Sequence, residues 1–257
     1  MNGISIVTLN TWKGEGDYPA RMAATIDLLA GLDPDIVLLQ EVFAVPSRGL
    51  CTADTLSAAL GLHCAFHPAR EKMRPFEGGD VLSQSGLAVL ARAKILSSSP
   101  VALPDDPRDG ERIAQVVRIG GAAPVTVLNL HLTHLPDAAA LRRRQLIAAL
   151  SALPEGINGP VIAGGDFNDA VDDGWLAPVA AALPGLTIRN TRHDIPNAPA
   201  TPTLVDPPSD GRPGCIDHIL TVHVAESGPV GTLETGHHGG GEVSDHRAVR
   251  AVLSIPG

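Results

Sequence analysis

Carboxylate, amide and imidazole side chains stand at or beside the ends of apolar segments throughout this sequence. Eight of them have types that could do chemistry together: Asn10, Glu41, His131, Asp166, Asn168, Asp217, Asp245 and His246. Polar side chains at the strand ends of a packed sheet face a common rim, where functional sites are usually built. The sequence therefore predicts that these groups converge on one site.

Three of the eight offer oxygen ligands that suit a hard cation. Glu41 follows the apolar run 35–39, and a carboxylate at the end of a buried strand is costly unless it is paired or binds a metal. A salt bridge or cap is the alternative for Glu41 alone. Together with Asn10 and Asp245 it forms an oxygen set that fits Mg²⁺, with Mn²⁺ as a substitute, better than Zn²⁺.

A second group could activate water. Gly164 and Gly165 allow a tight turn, and Asp166 and Asn168 would face the same side of an extended segment. The carboxylate could accept a proton from water while the amide holds its position. Taken alone, Asp-x-Asn is more often a turn signal.

The histidines suggest proton transfer and charge stabilisation. His246 faces the phosphate in one interpretation, with Asp217 orienting its ring. His131 follows the predicted strand 125–130 and could donate to a phosphoryl oxygen. His134 is either a substrate contact or a support, whereas His218 is expected to be a satisfied polar residue.

Four further features are ambiguous. Arg112 precedes a strand and could reach the site, although nothing in the sequence places it there. The run 142–144 is all arginine and is expected to be a solvated helix face rather than a phosphate clamp. His237 and His238 are expected to be exposed in a glycine-rich loop rather than to bind a metal.

Composition describes a globular chain. It has 257 residues, of which 44% are hydrophobic, and a formal charge of -9. An acidic chain gains no general attraction to nucleic acid unless a local basic groove or a bound cation reverses the field. Three unpaired cysteines, no signal peptide and no long apolar run predict reduced thiols and cytoplasmic residence without membrane insertion.

The elements that must position these residues form one domain, 1–257, without a repeat or linker. Helices are predicted at 18–31, 52–60 and 138–153. Strands are predicted at 3–9, 35–39, 86–90, 116–119, 125–130, 160–163, 216–222 and 248–253. We expect loops at 67–85, 204–212 and 236–241, and a connection rich in Pro and Asp between residues 90 and 116. The loops 67–85 and 195–214 are expected to decide specificity.

At these positions the sequence resembles the endonuclease/exonuclease/phosphatase superfamily. Six short segments carry the resemblance in the family's order: Thr8-Leu9-Asn10-Thr11, Leu38-Leu39-Gln40-Glu41-Val42, Asn129-Leu130-His131-Leu132, Gly165-Asp166-Phe167-Asn168, Ile216-Asp217-His218-Ile219 and Ser244-Asp245-His246. Each segment is weak singly, but together they span nearly the whole chain.

The resemblance implies a four-layer α/β/β/α sandwich of two mostly antiparallel sheets flanked by helices. It implies Mg²⁺ at Glu41 with Asn10 and Asp245 nearby, and water positioned by Asp166 and Asn168. His131 and His246 would stabilise the phosphoryl group, with Asp217 supporting His246. In-line attack by water on phosphorus would follow.

The substrate does not follow from the resemblance. Many family nucleases carry a mid-chain tyrosine, whereas the one tyrosine here is Tyr18, and exonuclease III relatives have lysine where Phe43 stands. The sequence predicts a Mg²⁺-dependent phosphodiesterase or phosphatase acting on a phosphorylated substrate. The alternatives are a nuclease acting on DNA or RNA, a sphingomyelinase-like phospholipid phosphodiesterase and, least expected, a non-catalytic binding module. Oligomeric state cannot be read from the sequence.

Overall fold

Thirteen strands and five helices make up the described part of the chain in this computed structural model. The structure describes residues 3–121, 123–157, 159–195, 201–210, 212–224 and 230–255. The strands are β1 Gly3–Asn10, β2 Ile36–Val45, β3 Leu50–Cys51, β4 His63–Phe76, β5 Gly79–Ala91, β6 Ile95–Ala102, β7 Ile113–Ile119, β8 Val125–His131, β9 Val161–Asp166, β10 Leu186–Asn190, β11 Asp217–Val224, β12 Gly231–His238 and β13 Ala248–Ser254. The helices are α1 Tyr18–Leu32, α2 Thr52–Leu60, α3 Ala139–Ser151, α4 Asp173–Ala182 and α5 Thr191–Asp194, and a short 3-10 turn lies at Pro46–Arg48.

Two sheets carry the fold. The first has the order β12-β13-β1-β2-β5-β4, with β3 paired to β2, and the second has the order β10-β11-β9-β8-β7-β6. Neighbouring strands are antiparallel except for one parallel pair in the middle of each sheet, β1 with β2 and β8 with β9. A helix links the two strands of each parallel pair, as a parallel connection requires.

Apolar residues on both faces of the sheets build three packed layers. Successive side chains on a strand point to opposite faces. On β1, Ile6 therefore packs between the two sheets, whereas Val7 packs towards the first pair of helices. A third cluster, which includes Leu128 and Leu146, joins the second sheet to α3 and α4. The predicted four-layer α/β/β/α sandwich is confirmed, whereas a single domain over 1–257 stays a prediction.

The parallel pairs decide where polar side chains can meet. Asn10, the last residue of β1, pairs with Gln40 in the middle of β2, where the register with β5 shifts. His131 pairs with Asp166 at the carboxyl ends of β8 and β9. Gly165 is required here, because its φ is +146° and an added Cβ would lie 1.9 Å from the Leu130 carbonyl oxygen. Both sheets thus present the ends of their central strands at one rim.

The expectation of a surface loop over 67–85 is wrong, because most of this segment forms a long β-hairpin. The strands β4 and β5 pair from His63 with Ala91 to Phe76 with Gly79. Glu77 and Gly78 both have positive φ, which suits a two-residue hairpin turn. The strand β4 lies at the sheet edge, where proline is tolerated, so its prolines hid the strand pattern.

Two other expected irregular segments also contain strands. The Pro- and Asp-rich connection includes β6, and the expected flexible loop 236–241 begins within β12, where Gly236 pairs with Arg250. Both are edge strands, and most side chains of β6 are exposed or half-buried, so neither carries a strong apolar alternation. Backbone pairing with a neighbouring strand, rather than local sequence, holds them.

Several sequence-based expectations concern features outside the site. In the described residues we find no helix with the length and apolar character that crossing a bilayer demands. Cytoplasmic residence stays a prediction. Cys51, Cys64 and Cys215 are free and half-buried, as expected for reduced thiols. Of the predicted loop 195–214, residues 196–200 and 211 lie outside the described residues.

Candidate active site

One cleft at the shared rim holds seven of the eight side chains selected from the sequence. They are Asn10, Glu41, His131, Asp166, Asn168, Asp245 and His246, and the same cleft is also lined by Lys13, Arg70, Lys72, Asp109, Arg112 and His134. The eighth, Asp217, is 1% exposed and lies behind His246. The structure thus brings together residues that are more than 230 positions apart in the sequence.

Asp166 lines the cleft, and three polar side chains surround its Oδ2. Its Oδ2 accepts a hydrogen bond from Asn10 Nδ2 at 3.0 Å and lies 3.6 Å from His131 Nε2 and 3.9 Å from His246 Nε2. Burial, followed by repulsion from Asp217, raises the pKa of Asp166 to about 7. A carboxylate with this pKa can accept a proton near neutral pH.

The Asp-x-Asn segment is both a turn and part of the site. Asp166 Oδ1 accepts a hydrogen bond from the Asn168 backbone N–H at 2.9 Å, and Asn168 has a φ of +52°. The Asn168 side-chain amide donates to the Leu132 carbonyl oxygen at 3.0 Å. Asn168 lines the cleft, and its side-chain Oδ1 can still accept a hydrogen bond, so the turn and the water-positioning interpretation are compatible.

His246 is oriented by a buried carboxylate, as the sequence suggested. Its Nδ1 donates to Asp217 Oδ2 at 2.8 Å, which directs Nε2 towards the cleft. Burial lowers the pKa of His246, but attraction to Asp217, a hydrogen bond to the same residue and the charge of Asp166 outweigh it and raise the pKa to about 10. The ring can therefore carry a positive charge at neutral pH and donate through Nε2.

His131 has the opposite electrostatic character. Burial, together with repulsion from Arg112 and Lys13, lowers its pKa well below the ordinary value. The ring is therefore neutral at neutral pH and holds one hydrogen that it can donate. The two cleft histidines thus offer one neutral and one cationic hydrogen-bond donor.

Glu41 sits in a strained backbone position at the rim. The register of β2 and β5 shifts between Leu39 and Val42, and Glu41 has a φ of +54°, which is rare for a residue with a side chain. Its Oε1 accepts a hydrogen bond from Lys13 Nζ at 2.6 Å. A side chain held in this way by strained backbone is typical of a functional site.

The oxygen set at this end of the cleft fits a hard divalent cation. Burial raises the pKa of Asp245, attraction to His246 opposes the rise, and repulsion from Glu41 adds to it. Glu41 and Asp245 line the same cleft, and so does Asn10, whose Oδ1 accepts from the Trp12 N–H at 3.0 Å. Mg²⁺ prefers such a site, in which a few carboxylate and amide oxygens are combined with water.

A second group of potential ligands lies deeper in the site. Asp166, Asp217 and His246 are all buried, and one ligand atom from each lies within 4.8 Å of the others. Within the described part of the chain, Asp217 Oδ1 has no hydrogen-bond partner. The sequence assigned these three residues to catalysis. Their mixed nitrogen and oxygen donors suit a transition metal better than Mg²⁺.

Arg112 reaches the cleft and is held there by a carboxylate that the sequence did not single out. Its Nε and Nη2 donate to the two oxygens of Asp109 at 3.0 and 2.8 Å, a bidentate pair that fixes the guanidinium plane. His134 Nδ1 lies 3.0 Å from both partners. His134 therefore supports this pair and also lines the cleft.

Two expectations about basic and imidazole side chains are wrong. Of the run 142–144, Arg144 is exposed as expected and Arg143 is half-buried, but Arg142 is buried and donates to Asp169 Oδ2 and to the carbonyl oxygens of Thr133 and Leu135. It ties the chain after β8 to the chain after β9 and so supports the rim. His237 and His238 are half-buried in β12 rather than exposed in a loop.

A buried amide pair joins the two sheets beneath the site. Gln40 Nε2 donates to Asn129 Oδ1 at 2.7 Å, and Asn129 Nδ2 donates to the backbone carbonyls of Leu39 and Ala88 at 2.9 Å. These bonds cross from the first sheet to the second and set the relative position of their rims. Both residues stand in segments that carry the family resemblance, but their role could not be read from the sequence.

His218 is the satisfied core histidine that the sequence suggested, and it makes a testable contribution to stability. Its Nε2 donates to the Asp169 carbonyl at 3.0 Å, and its Nδ1 accepts from Asn190 Nδ2 at 3.1 Å. Burial lowers its pKa to about 4, with partial opposition from the bond to Asp169. The neutral ring thus fits both partners.

Because the folded protein resists protonation of His218 while the unfolded chain does not, stability is lost as the pH falls through 6.5 towards 4. The free energy of unfolding is expected to drop by about 2 kcal/mol between pH 7 and pH 5 from this residue alone. Urea unfolding of the protein and of His218→Gln at both pH values measures it. The variant should lose this part of the pH dependence. If the free energy of unfolding changed equally with pH in both proteins, His218 would not be its source.

Comparison with known proteins agrees with the fold. The model of the Endonuclease/Exonuclease/phosphatase family matches residues 7–246. An endonuclease/exonuclease/phosphatase from Beutenbergia cavernae DSM 12333 is 21% identical with a TM-score of 0.74, covering 100% of this chain and 72% of that chain. No curated protein sequence matches this chain significantly.

Two further solved structures share the fold. D. rerio TDP2 complexed with single strand DNA product is 17% identical with a TM-score of 0.67, covering 99% of this chain and 100% of that chain. The human Nocturnin catalytic domain with bound sulfate anion is 17% identical with a TM-score of 0.71, covering 99% and 95%. Because the family match spans nearly the whole chain, this chain belongs to the endonuclease/exonuclease/phosphatase family, whose members are metal-dependent phosphoesterases and nucleases.

Proposed function

We propose that this chain is a Mg²⁺-dependent hydrolase that cleaves a phosphoester bond by in-line attack of water. The observation that carries the proposal is the single cleft that unites Glu41, Asp166 and His246. These residues supply a metal-binding carboxylate, a proton acceptor and a cationic hydrogen-bond donor. Phosphoryl transfer needs little more from a protein than positioning and charge stabilisation.

Glu41, Asn10 and Asp245 would hold the metal ion. An ion held there would supply positive charge to offset the negative charge that develops on the reacting phosphate. Lys13, which pairs with Glu41, would remain at the edge of the cleft as a further positive charge near the substrate. The deeper group of Asp166, Asp217 and His246 is the alternative metal site, and it would predict a preference for a transition metal.

The remaining residues act on the water and the phosphoryl group. Asp166 accepts the proton of the attacking water, and the carbonyl oxygen of Asn168 holds that water by accepting its second hydrogen. His246 donates from Nε2 to a phosphoryl oxygen, with Asp217 fixing the ring through Nδ1. His131 donates to a second phosphoryl oxygen from the other side of Asp166.

A nuclease is the second candidate, and the basic side chains of the cleft favour it. Arg70, Lys72 and Arg112 line the cleft although the chain as a whole is acidic. Among relatives with the same fold, D. rerio TDP2 binds a single-stranded DNA product and human Nocturnin binds a sulfate anion. A phospholipid head group is a further substrate class for the same chemistry.

Metal dependence and substrate class can be tested together. We expect EDTA-treated protein to be inactive on bis-p-nitrophenyl phosphate and Mg²⁺ to restore release of p-nitrophenol, with Mn²⁺ as a substitute. Parallel assays use p-nitrophenyl phosphate, plasmid DNA, short RNA, sphingomyelin and sugar or inositol phosphates. Restoration by Zn²⁺ alone would favour the deeper metal site. Absence of turnover on every substrate with every cation would favour a non-catalytic binding module.

A further inference from the structure

Three basic side chains lie on one face of the long hairpin that borders the cleft. Arg70, Lys72 and Arg74 alternate along β4, and alternate residues of a strand point to the same side. They are therefore spaced about 7 Å apart along the strand. Their pairing partners on β5 include Ser85 opposite Arg70 and Ser83 opposite Lys72, so no acidic side chain faces these two across the strand pair.

This face continues directly into the catalytic cleft. Lys13, Arg70, Lys72, Arg74 and Arg112 line one lobe, which we call the hairpin lobe. All of these except Arg74, together with Glu41 and His131, also line the catalytic cleft. The hairpin lobe is lined by five cationic residues and by two acidic ones, Glu41 and Glu111. The lobe thus has an excess of three positive charges, although the chain as a whole has a formal charge of -9. Positive charge is therefore concentrated in the lobe.

Two of these cations are fixed in place by the protein. Arg74 is buried and donates to the Ser83 carbonyl oxygen and to the hydroxyls of Ser83 and Ser85. Arg112 is clamped by both oxygens of Asp109. Fixed positive groups of this kind raise the potential of the lobe without needing reorganisation when an anion binds.

The two other hairpin cations are more available. Arg70 donates to the Asp109 carbonyl oxygen, and its Nε is 3.9 Å from the exposed carboxylate of Glu111. Lys72 is exposed, and among the residues that the structure describes no carboxylate forms an ion pair with it. Slight burial, followed by repulsion from Arg74, Arg70 and Lys13, lowers the pKa of Lys72. Attraction to Glu15 partly opposes this fall, so the neighbouring positive charges outweigh the negative charge near Lys72.

We propose that the hairpin lobe is a second anion subsite, which binds a phosphate group other than the one being cleaved. The substrate would then carry at least two phosphate groups, with Lys72 and Arg70 contacting the second one. This inference rests on the proposed hydrolase function. An oligonucleotide and a small bisphosphorylated molecule share this chemistry, and the experiment below distinguishes them.

The position of the lobe favours a second phosphate over a second, independent ligand. Lys13 and Arg112 line both the lobe and the catalytic centre, so an anion in the lobe lies beside the scissile group rather than on a separate surface. Lys72 differs from an ordinary exposed lysine such as Lys94 in its place beside Arg70 and Arg112 in the lining of the lobe.

A matched pair of chromogenic substrates tests the subsite. The p-nitrophenyl ester of thymidine 5′-phosphate has one phosphate, and its 3′-phosphorylated form has a second phosphate with the same leaving group. With Mg²⁺ present, we expect kcat/KM to be at least about tenfold higher for the bisphosphate. This is the rate difference that one charge-assisted hydrogen bond to the second phosphate would give. Lys72→Gln should remove most of this preference, and Lys72→Glu should reverse it.

Lys94→Gln provides the matched control. Lys94 is exposed beyond the end of β5 that pairs with the start of β2, at the opposite end of the sheet from Glu41, and the substitution removes the same charge. It should leave the ratio of the two kcat/KM values unchanged. If the ratio of kcat/KM for the bisphosphate to kcat/KM for the monophosphate is the same in wild type and in Lys72→Gln, the subsite is overturned. The hydrolase function would still stand, because both proteins would be active.

Binding without turnover separates the two possible failures and the two substrate sources. In EDTA, a short 5′-phosphorylated oligothymidylate and fructose 1,6-bisphosphate are titrated into wild type, Lys72→Gln and Lys94→Gln. The subsite is supported if Lys72→Gln, but not Lys94→Gln, weakens the binding of either ligand about tenfold. This holds even if no turnover is found. The tighter of the two ligands identifies the source. Equal binding to all three proteins overturns the proposal.

Discussion

Replacing Asp166 with asparagine is expected to lower kcat by about a thousandfold and to leave the protein folded. The amide is too weak a base to take the proton of the attacking water, although it has almost the same shape. Burying the neutral amide in place of the carboxyl should not lower the stability of the protein. The surroundings of Asp166 already raise the pKa of its carboxyl, which means that they disfavour a negative charge at this position. Steady-state hydrolysis of bis-p-nitrophenyl phosphate and urea unfolding in EDTA measure the two effects.

The control is Asp172→Asn, which makes the same chemical change nearby in the chain. Asp172 is exposed at the N-terminus of α4, where its side chain caps the helix by accepting from the Trp175 N–H. Asparagine is also a good N-cap residue, so this variant should keep both activity and stability. Activity of Asp166→Asn close to that of wild type would remove Asp166 from the mechanism.

Much of the site was visible in the sequence because polar residues interrupt apolar strands at defined points. Asn10 and Asp166 each end a strand that is otherwise buried, and Glu41 lies in a third. A sandwich whose parallel strands end at one rim brings such residues together. The sequence could therefore predict convergence. The pairing of His246 with Asp217 was one interpretation, based on the His–carboxylate pair as a proton-transfer unit.

The cations of the cleft were harder to predict, because the contacts that hold them lie in an irregular connection or far away in the sequence. Arg112 enters the cleft through its bidentate pair with Asp109, and Lys13 through Glu41, 28 positions later. Neither partner is marked by an apolar pattern. Arg142 was misjudged for a similar reason, since its helix position looks exposed until Asp169 and the chain after β8 cover it.

Edge strands were the main gap in the predicted fold. Hydrophobic alternation identifies a strand when one or both faces are buried, as in β1 and β8. In β4 the side chains of Glu71, Lys72 and Met73 are all exposed, and prolines occupy positions that a central strand would not tolerate. This gap matters for function, because β4 carries the residues of the hairpin lobe.

Replacing Glu41 with glutamine is expected to remove tight Mg²⁺ binding and to lower kcat/KM by about a thousandfold or more. Asp245 would then be the single carboxylate in the oxygen set, and Lys13 would lose its partner and add uncompensated positive charge. Both changes weaken a site that relies on few charged ligands for a strongly hydrated ion. Calorimetric titration of the EDTA-treated protein with Mg²⁺ measures binding directly. Hydrolysis at a high Mg²⁺ concentration shows how much of the lost activity returns when the weakened site is filled.

Asp217→Asn distinguishes the two potential metal sites, because Asp217 belongs to the deeper group and not to the oxygen set at Glu41. If the ion binds at Glu41, Asp217→Asn should keep Mg²⁺ affinity while turnover falls, since His246 loses the carboxylate that holds its charged form. The reverse pattern, in which Asp217→Asn abolishes metal binding and Glu41→Gln retains it, would move the metal to Asp166, Asp217 and His246. The strained φ of Glu41 would then need another explanation, whereas a metal at the rim explains both that strain and the repulsion between Glu41 and Asp245.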